Sequence, residues 1–477
     1  MKPQNLIFKL RTSSQLIVSL ALSLTLLGCQ GPLQSTPSNS SQSSSIVASS
    51  LGSSISSASD SKAESSQSLQ ESTVSSSDSD TQSSKSQNSS ASMTTNSTTT
   101  DKTAQNLKEA LLEVDDQEVE AILDQMSLEE KCAQMFIVQP EALAIPDQAA
   151  NPNFVVTDSA QITSGLQSYP VGGVILFANN LSTADQTRNL LSQIDQASLD
   201  QSGLPAFLGV DEEGGSVARV ANRQILGDIQ TKSAQEIADT KDVNEALEQG
   251  RQIGAYLHEL GFNLDFAPVA DVLTNPNNPV MQGRTFGSDP NQAASMALAF
   301  ANGLLEEDIL PVFKHFPGHG DTAQDSHAGY TYSNKTLDEL QSCELIPFQA
   351  AVDQKMPMIM ASHISLPNIT GSKLPTSLSP DLVTGVLRYR MGFQGLVVTD
   401  AMQMGAISDY YSSSDAIGGA ISAGVDLILM PVDFQADYQT LIDKVKTGQI
   451  QEKRIDESVR RIVRVKLALS QVQETSK

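Results

Sequence analysis

From residue 127 onward the chain alternates short apolar runs with longer amphipathic segments. The apolar runs fall at 133–138, 171–177, 205–210, 262–270, 310–314, 358–362, 395–398 and 425–430. Each is bounded by Gly, Pro, Asn or Asp, as expected of buried strands. Most of the intervening segments carry apolar positions three and four apart, which predicts helices at 183–197, 245–260, 292–306, 337–355 and 380–390. Ser127-Leu128-Glu129-Glu130 predicts a capping box opening a short helix before the first strand. Fully apolar strands alternating with helices imply a parallel sheet covered on its faces. Eight such units predict a single (β/α)8 barrel rather than an open doubly wound sheet. A nucleotide-binding reading lacks both a GxGxxG turn and a phosphate-binding loop.

The first hundred residues follow another pattern. Lys2, Lys9 and Arg11 precede an apolar run from about Leu16 to Leu27, too short to span a bilayer comfortably and suited to a signal segment. It ends in Leu26-Leu27-Gly28-Cys29, which resembles the lipobox of bacterial lipoproteins. The resemblance implies that Cys29 is acylated and anchors the chain to the outer face of the cytoplasmic membrane. Between residues 31 and 100, 30 positions are Ser and 8 are Thr, too little apolar content to offset ordering entropy. The expected organisation is therefore a leader over 1–29, a disordered Ser/Thr-rich tether over 30–105, and a folded barrel domain over 106–477.

The net charge of −25 excludes a nucleic-acid partner held through phosphates, which needs clustered Lys and Arg, and fits a soluble monomer. Trp is absent, which argues against a long stacking cleft. Cys132 and Cys343 remain besides Cys29. They read as free thiols, with a disulfide left open, and no CxxC spacing suggests a metal.

Barrel sites gather at the C-terminal ends of the strands. Polar residues collect there: Asp211-Glu212-Glu213 after the third run, Asp271 after the fourth, Lys314-His315 at the fifth, Ser362-His363 after the sixth and Asp400 after the seventh. The densest segment is Lys314-His315-Phe316-Pro317-Gly318-His319-Gly320-Asp321-Thr322-Ala323-Gln324-Asp325-Ser326-His327. Its Gly and Pro mark a loop, so the histidine spacing does not build a metal-binding helix face, and neither metal nor cofactor is expected.

This segment resembles the signature of glycoside hydrolase family 3, in its β-N-acetylglucosaminidase branch. VDEEGGSVARV at 210–220, GRTFG at 283–287, the stretch 377–407 containing TDAMQMGAI, and RIDESVRRIVRVKLAL at 454–469 agree with it. The resemblance covers about residues 120–470. It implies that Asp400 is the nucleophile and that His327, oriented by Asp325, is the acid/base. It further implies that Asp211, Arg219, Arg284, Lys314 and His315 bind the sugar. A carboxylate suits ester formation at an anomeric carbon, and an imidazole titrates near neutrality without large tuning. His319 and Asp321 read as loop-shaping and His258 as structural, while His363 and Glu212 are candidates for lining the pocket. Many family members carry a second α/β domain that this chain is too short to hold, so a pocket for one terminal sugar and exo cleavage are expected.

The expected activity is retaining hydrolysis of terminal β-linked N-acetylglucosamine, from peptidoglycan fragments given the surface location. Alternatives are phosphorolysis, β-glucosidase specificity, substrate-assisted catalysis with Asp211-Glu212 as the acidic pair, and a non-catalytic sugar-binding lipoprotein.

Overall fold

The computed structural model describes residues 106–475, apart from 146, 147, 149, 150 and 152. The leader, Cys29 and the Ser-rich tether lie outside the described residues. No helix among the described residues is long and apolar enough to cross a membrane.

Eight parallel strands form the barrel: β1 (Phe136–Val138), β2 (Gly173–Ile175), β3 (Phe207–Val210), β4 (Leu264–Asp265), β5 (Leu310–Phe316), β6 (Met358–Ala361), β7 (Leu396–Thr399) and β8 (Ile428–Leu429). Neighbours pair in chain order from β1 to β7, and β8 pairs with β1. A bridge between Val398 and Leu427 joins β7 to the run entering β8 and closes the ring. Each of the eight predicted apolar runs thus meets one barrel strand, with β5 and β7 extending past their runs to Phe316 and Thr399. Every strand residue is buried, because one face meets the barrel interior and the other the surrounding helices.

The helices match the amphipathic pattern with two differences. Helices Ala184–Ser202, Val243–Leu260 and Pro290–Glu306 cover three predicted segments, and Ser127 caps Leu128–Gln134 through the predicted box with Glu130. The segment 337–355 breaks into Leu337–Gln341 and Leu345–Asp353. Pro347 has no N–H to give the carbonyl of residue 343, so a continuous helix is not available there. Glu344 at the break turns inward, where its carboxylate meets Lys335 and accepts from Thr274 Oγ1 at 3.0 Å. The segment 381–390 winds wider than an α-helix, with i→i+5 bonding.

Helices Leu107–Glu113, Asp116–Leu123, Phe434–Lys446 and Glu452–Thr475 were not expected from the apolar runs. The first two pack on the last, where Arg460 holds the Glu120 carboxylate, and Lys131 of the helix Leu128–Gln134 reaches Asp456 on the same last helix at 2.7 Å. The two thiols stay apart: Cys132 is buried and free, Cys343 half-buried and free.

One buried charge fixes the last helix to the sheet. Asp426, fully buried, accepts from Val397 N of β7 at 2.9 Å and Ser458 Oγ at 2.7 Å, and is ringed by Arg388, Arg461 at 3.0 Å and Arg454 at 3.5 Å. Burial pushes its carboxyl up, but the three guanidiniums hold it below the usual carboxylate range. Asp426→Ala leaves buried cations without a counter-charge and is expected to lose about 3–5 kcal/mol. Urea unfolding measures this, and a loss below about 1 kcal/mol would show the cluster to be incidental.

Candidate active site

At the C-terminal mouth of the barrel the strand ends and the loops after them deliver eight charged or titratable side chains to one cavity of about 510 Å3. Glu213 lines it together with seven of the residues singled out from the sequence: Asp211, Arg219, Arg284, Lys314, His315, His327 and Asp400. Asp325, the eighth residue singled out from the sequence, stands behind His327.

The floor is an ion network. Lys314, on β5 and almost fully buried, reaches Asp211 Oδ1 at 2.8 Å and Glu213 Oε1 at 2.7 Å. Arg284 grips Glu213 with two parallel bonds, Nε to Oε2 at 2.8 Å and Nη2 to Oε1 at 2.7 Å. Burial pushes the Glu213 carboxyl up, yet Lys314 and Arg284 outweigh it and hold the group ionised. Glu213 was not singled out; Glu212 was, and it does not line the cavity. Side chains alternate along an extended chain, so Asp211 and Glu213 share one side and Glu212 the other. There Glu212 accepts from Val220 N at 2.8 Å, Ala221 N at 2.9 Å and Tyr256 Oη at 2.7 Å. It folds the ribbon formed by Glu212–Gly214 and Val217–Ala218 that carries Arg219 to the rim. Arg219 lies 5.8 Å over the Phe177 ring, and its buried Nε has no hydrogen-bond partner among the described residues.

His315 is oriented by Asp271, which accepts from its Nδ1 at 2.7 Å and from the His319 backbone N–H at 2.6 Å. This leaves Nε2 of His315 for a ligand. The Lys314–His315 and Phe316–Pro317 peptides are cis. His319 does shape the loop: its buried ring bridges Thr322 Oγ1 at 2.8 Å and Ser326 Oγ at 2.9 Å. Asp321 accepts from Ser333 Oγ at 2.5 Å. His258 is exposed on its helix and lines a separate groove.

Asp400 follows β7 directly. Its Oδ1 accepts from Ala401 N at 2.8 Å. Burial pushes its carboxyl up, but His315, His363 and the Ala401 N–H bring it below the usual carboxylate range. His363 does not line this cavity. It lies buried beside it, bonded to Ser377 Oγ at 2.8 Å and the Ala401 carbonyl at 3.0 Å.

His327 comes from the long loop after β5 and is largely exposed, with Asp325 Oδ1 2.7 Å from its Nδ1. The Asp325 carboxyl is pushed up by its partial burial and more than compensated by the His327 N–H groups, so it stays below the usual range. Two backbone bonds tie this loop to the segment after Asp400: Gly405 N to the His327 carbonyl and Ala406 N to that of Ser326, both 3.2 Å. A Cβ on Gly405 would lie 2.9 Å from the His327 carbonyl oxygen, so only glycine allows this approach. Among the described residues no group of three or more His, Cys, Asp or Glu is placed to hold a metal ion.

The barrel mouth thus gathers paired charges, a carboxylate after β7 and a His–Asp pair on the β5 loop. The family model described as "Glycosyl hydrolase family 3 N terminal domain" matches residues 127–465, and the chain belongs to glycosyl hydrolase family 3. Beta-hexosaminidase A of Pseudoalteromonas piscicida is 33% identical over 332 residues, covering 65% of this chain and 56% of that protein. Beta-hexosaminidase LpqI of Mycobacterium tuberculosis is 35% identical over 320 residues, covering 65% of this chain and 79% of that one. A solved glycoside hydrolase family 3 beta-N-acetylglucosaminidase from Paenibacillus sp. superposes with a TM-score of 0.66 at 30% identity, covering 72% of this chain and 63% of that one. The matched stretch thus spans little more than half of the first relative.

The His319 ring carries a pH dependence. Burial, reinforced by the nearby His315, pulls its imidazole down to about 4 from 6.5. Its folded pKa is lowered, so the stabilising effect is complete above pH 6.5 and is lost as pH falls through about 4. The expected loss is about 3 kcal/mol over that window. His319→Gln should flatten the fall, read from unfolding midpoints at pH 7 and 4. Parallel profiles for the two proteins would overturn this.

Proposed function

We propose that the chain is a retaining, exo-acting β-N-acetylhexosaminidase that removes terminal β-linked N-acetylglucosamine. The observation that carries it is one cavity walled by a depressed carboxylate and by a histidine backed by its aspartate, over a floor of fixed, paired charges. The similarity to beta-hexosaminidases supports the choice of sugar.

The sugar hydroxyls pair with Asp211, Arg284, Lys314 and His315, whose positions are set before binding, so little reorganisation is needed. Oδ2 of Asp400 is free of Ala401 and attacks the anomeric carbon as the bond to the leaving oxygen breaks. His327 donates its Nε2 proton to that oxygen, while Asp325 on Nδ1 stabilises the ring cation. Water then enters, gives a proton back to His327, and releases the sugar from Asp400. The exposed position of His327 leaves its Nε2 open to both the leaving oxygen and the incoming water.

We further propose acylation at Cys29, with the Ser-rich tether giving the domain reach from the membrane and peptidoglycan fragments as the natural source of the sugar. A second reading, phosphorolysis, draws on the same imidazole, since a neutral ring repels incoming phosphate less than a carboxylate does.

Asp400→Ala should abolish nitrophenol release from the aryl β-N-acetylglucosaminide, and retained turnover would refute the nucleophile. His327→Ala should lower kcat about 10²–10⁴-fold for a sugar leaving group and less for nitrophenolate, which needs no proton. Appearance of sugar 1-phosphate on adding phosphate would select phosphorolysis over hydrolysis.

A further inference from the structure

A second cavity of about 570 Å3 adjoins the first and shares Arg219 and Phe177 with it. The loops after β1 and β2 build it, with Phe154 and Asn179 among its walls. The hand of the barrel and the hand of the sugar together decide which part of a bound ring faces this opening.

Right-handed crossovers with the helices outside make β1 to β8 run anticlockwise for a viewer looking into the C-terminal mouth. Asp400 stands at the end of β7, and His327 stands largely exposed on the loop above. The leaving oxygen departs opposite the attacking carboxylate and beside the proton donor. A β-glycoside therefore turns its α face into the barrel and its β face outward. Seen from the β face, the carbons of a D-pyranose run clockwise from C1 to C5. The ring thus meets the strands in descending order. With C1 beside β7, C2 and C3 fall toward β6 and β5, C4 toward β3, and C5 with its C6 arm toward β2.

The side chains at those strand ends agree with this placement. Lys314 and His315 on β5 face the C3 hydroxyl, and Asp211 after β3 faces that of C4. Lys314 holds Asp211 at 2.8 Å, so this side of the floor is closed. The C6 hydroxyl instead points toward Phe177, two residues past β2, and toward Arg219 over its ring. Beyond these two lies the second cavity.

Arg219 offers there a buried Nε–H with no acceptor among the described residues. Phe154 and Phe177 are half-buried rings, and Asn179 adds a side-chain amide. Glu141 in the same wall accepts on Oε1 from Val156 N at 2.9 Å and Asn180 Nδ2 at 2.7 Å. Its carboxylate disfavours an anion such as a phosphate ester. A buried donor beside apolar rings suits a neutral acceptor carried on a small apolar group, which describes an ester carbonyl with its alkyl end.

We propose that the second cavity receives an acyl ester carried on O6 of the terminal sugar, its carbonyl accepting from Arg219 and its alkyl end lying against Phe154. The inference rests on the glycosidase reading above. Nitrophenol release tests it with three substrates: the aryl β-N-acetylglucosaminide, its 6-O-acetyl ester and its 4-O-methyl ether. The unmodified protein should cleave the 6-O-acetyl ester with kcat/KM within roughly tenfold of the parent glycoside. The 4-O-methyl ether, although its added group is smaller, should be cleaved roughly a hundredfold more slowly. Asn179→Trp, which fills the cavity from an exposed turn, should lower kcat/KM for the 6-O-acetyl ester roughly tenfold, through KM, and leave the parent glycoside unchanged. Phe154→Ala, which removes the contact instead, should also weaken the ester alone. Rejection of the 6-O-acetyl ester, equal tolerance at O4 and O6, or variants that lower both substrates alike or neither, overturns the O6 site alone. Failure of the unmodified protein to cleave the parent glycoside overturns the glycosidase reading, and the O6 site with it.

Discussion

A parallel barrel buries both faces of its strands, so a charged side chain is tolerated only at a strand end and only when paired. That constraint organises this molecule. At the C-terminal mouth Glu213 sits between Lys314 and Arg284, and Lys314 also holds Asp211. Removing any one member would leave a desolvated charge behind. The network therefore fixes the ribbon after β3, the end of β5 and the loop carrying Arg284 in one arrangement. Binding donors that cannot wander are the result.

The two groups assigned to bond cleavage are held differently. Asp400 is bonded into the backbone at the end of β7, next to the strand that Asp426 anchors through Val397. His327 stands on an exposed loop, restrained by the backbone of Gly405 and Ala406 and by the buried His319 within the same loop. A nucleophile needs a fixed line of attack, while a proton donor must serve two different oxygens in turn. The difference in burial suits the nucleophile and proton-donor roles proposed for them.

Much of the fold was legible because a buried strand writes itself as a short apolar run between breakers. All eight runs coincided with a strand, two of which ran one or two residues further. The helix expected at 337–355 was broken by Pro347, a local signal outweighed in the reading by an otherwise regular pattern. The terminal helices were missed because Glu452–Thr475 alternates many Arg residues with its apolar stripe, and its role depends on helices at the far end of the chain. At the site, Asp211 and Glu213 were separable from Glu212 by the two-residue period of an extended chain. Nothing comparable marked Asp271 as the partner of His315.

By itself the sequence determined the number and order of the barrel strands, several of the helices between them, the family, and the set of polar residues at the strand ends. These depend on periodicity and on local composition, which a linear string records. Only the tertiary structure decided which carboxylate faces the cavity, that His363 lies behind Asp400 rather than in front of it, and that the loops after β1 and β2 form a second cavity beside the first. Those outcomes are set by contacts between segments tens to hundreds of residues apart, where the direction of a side chain depends on packing that no local pattern encodes.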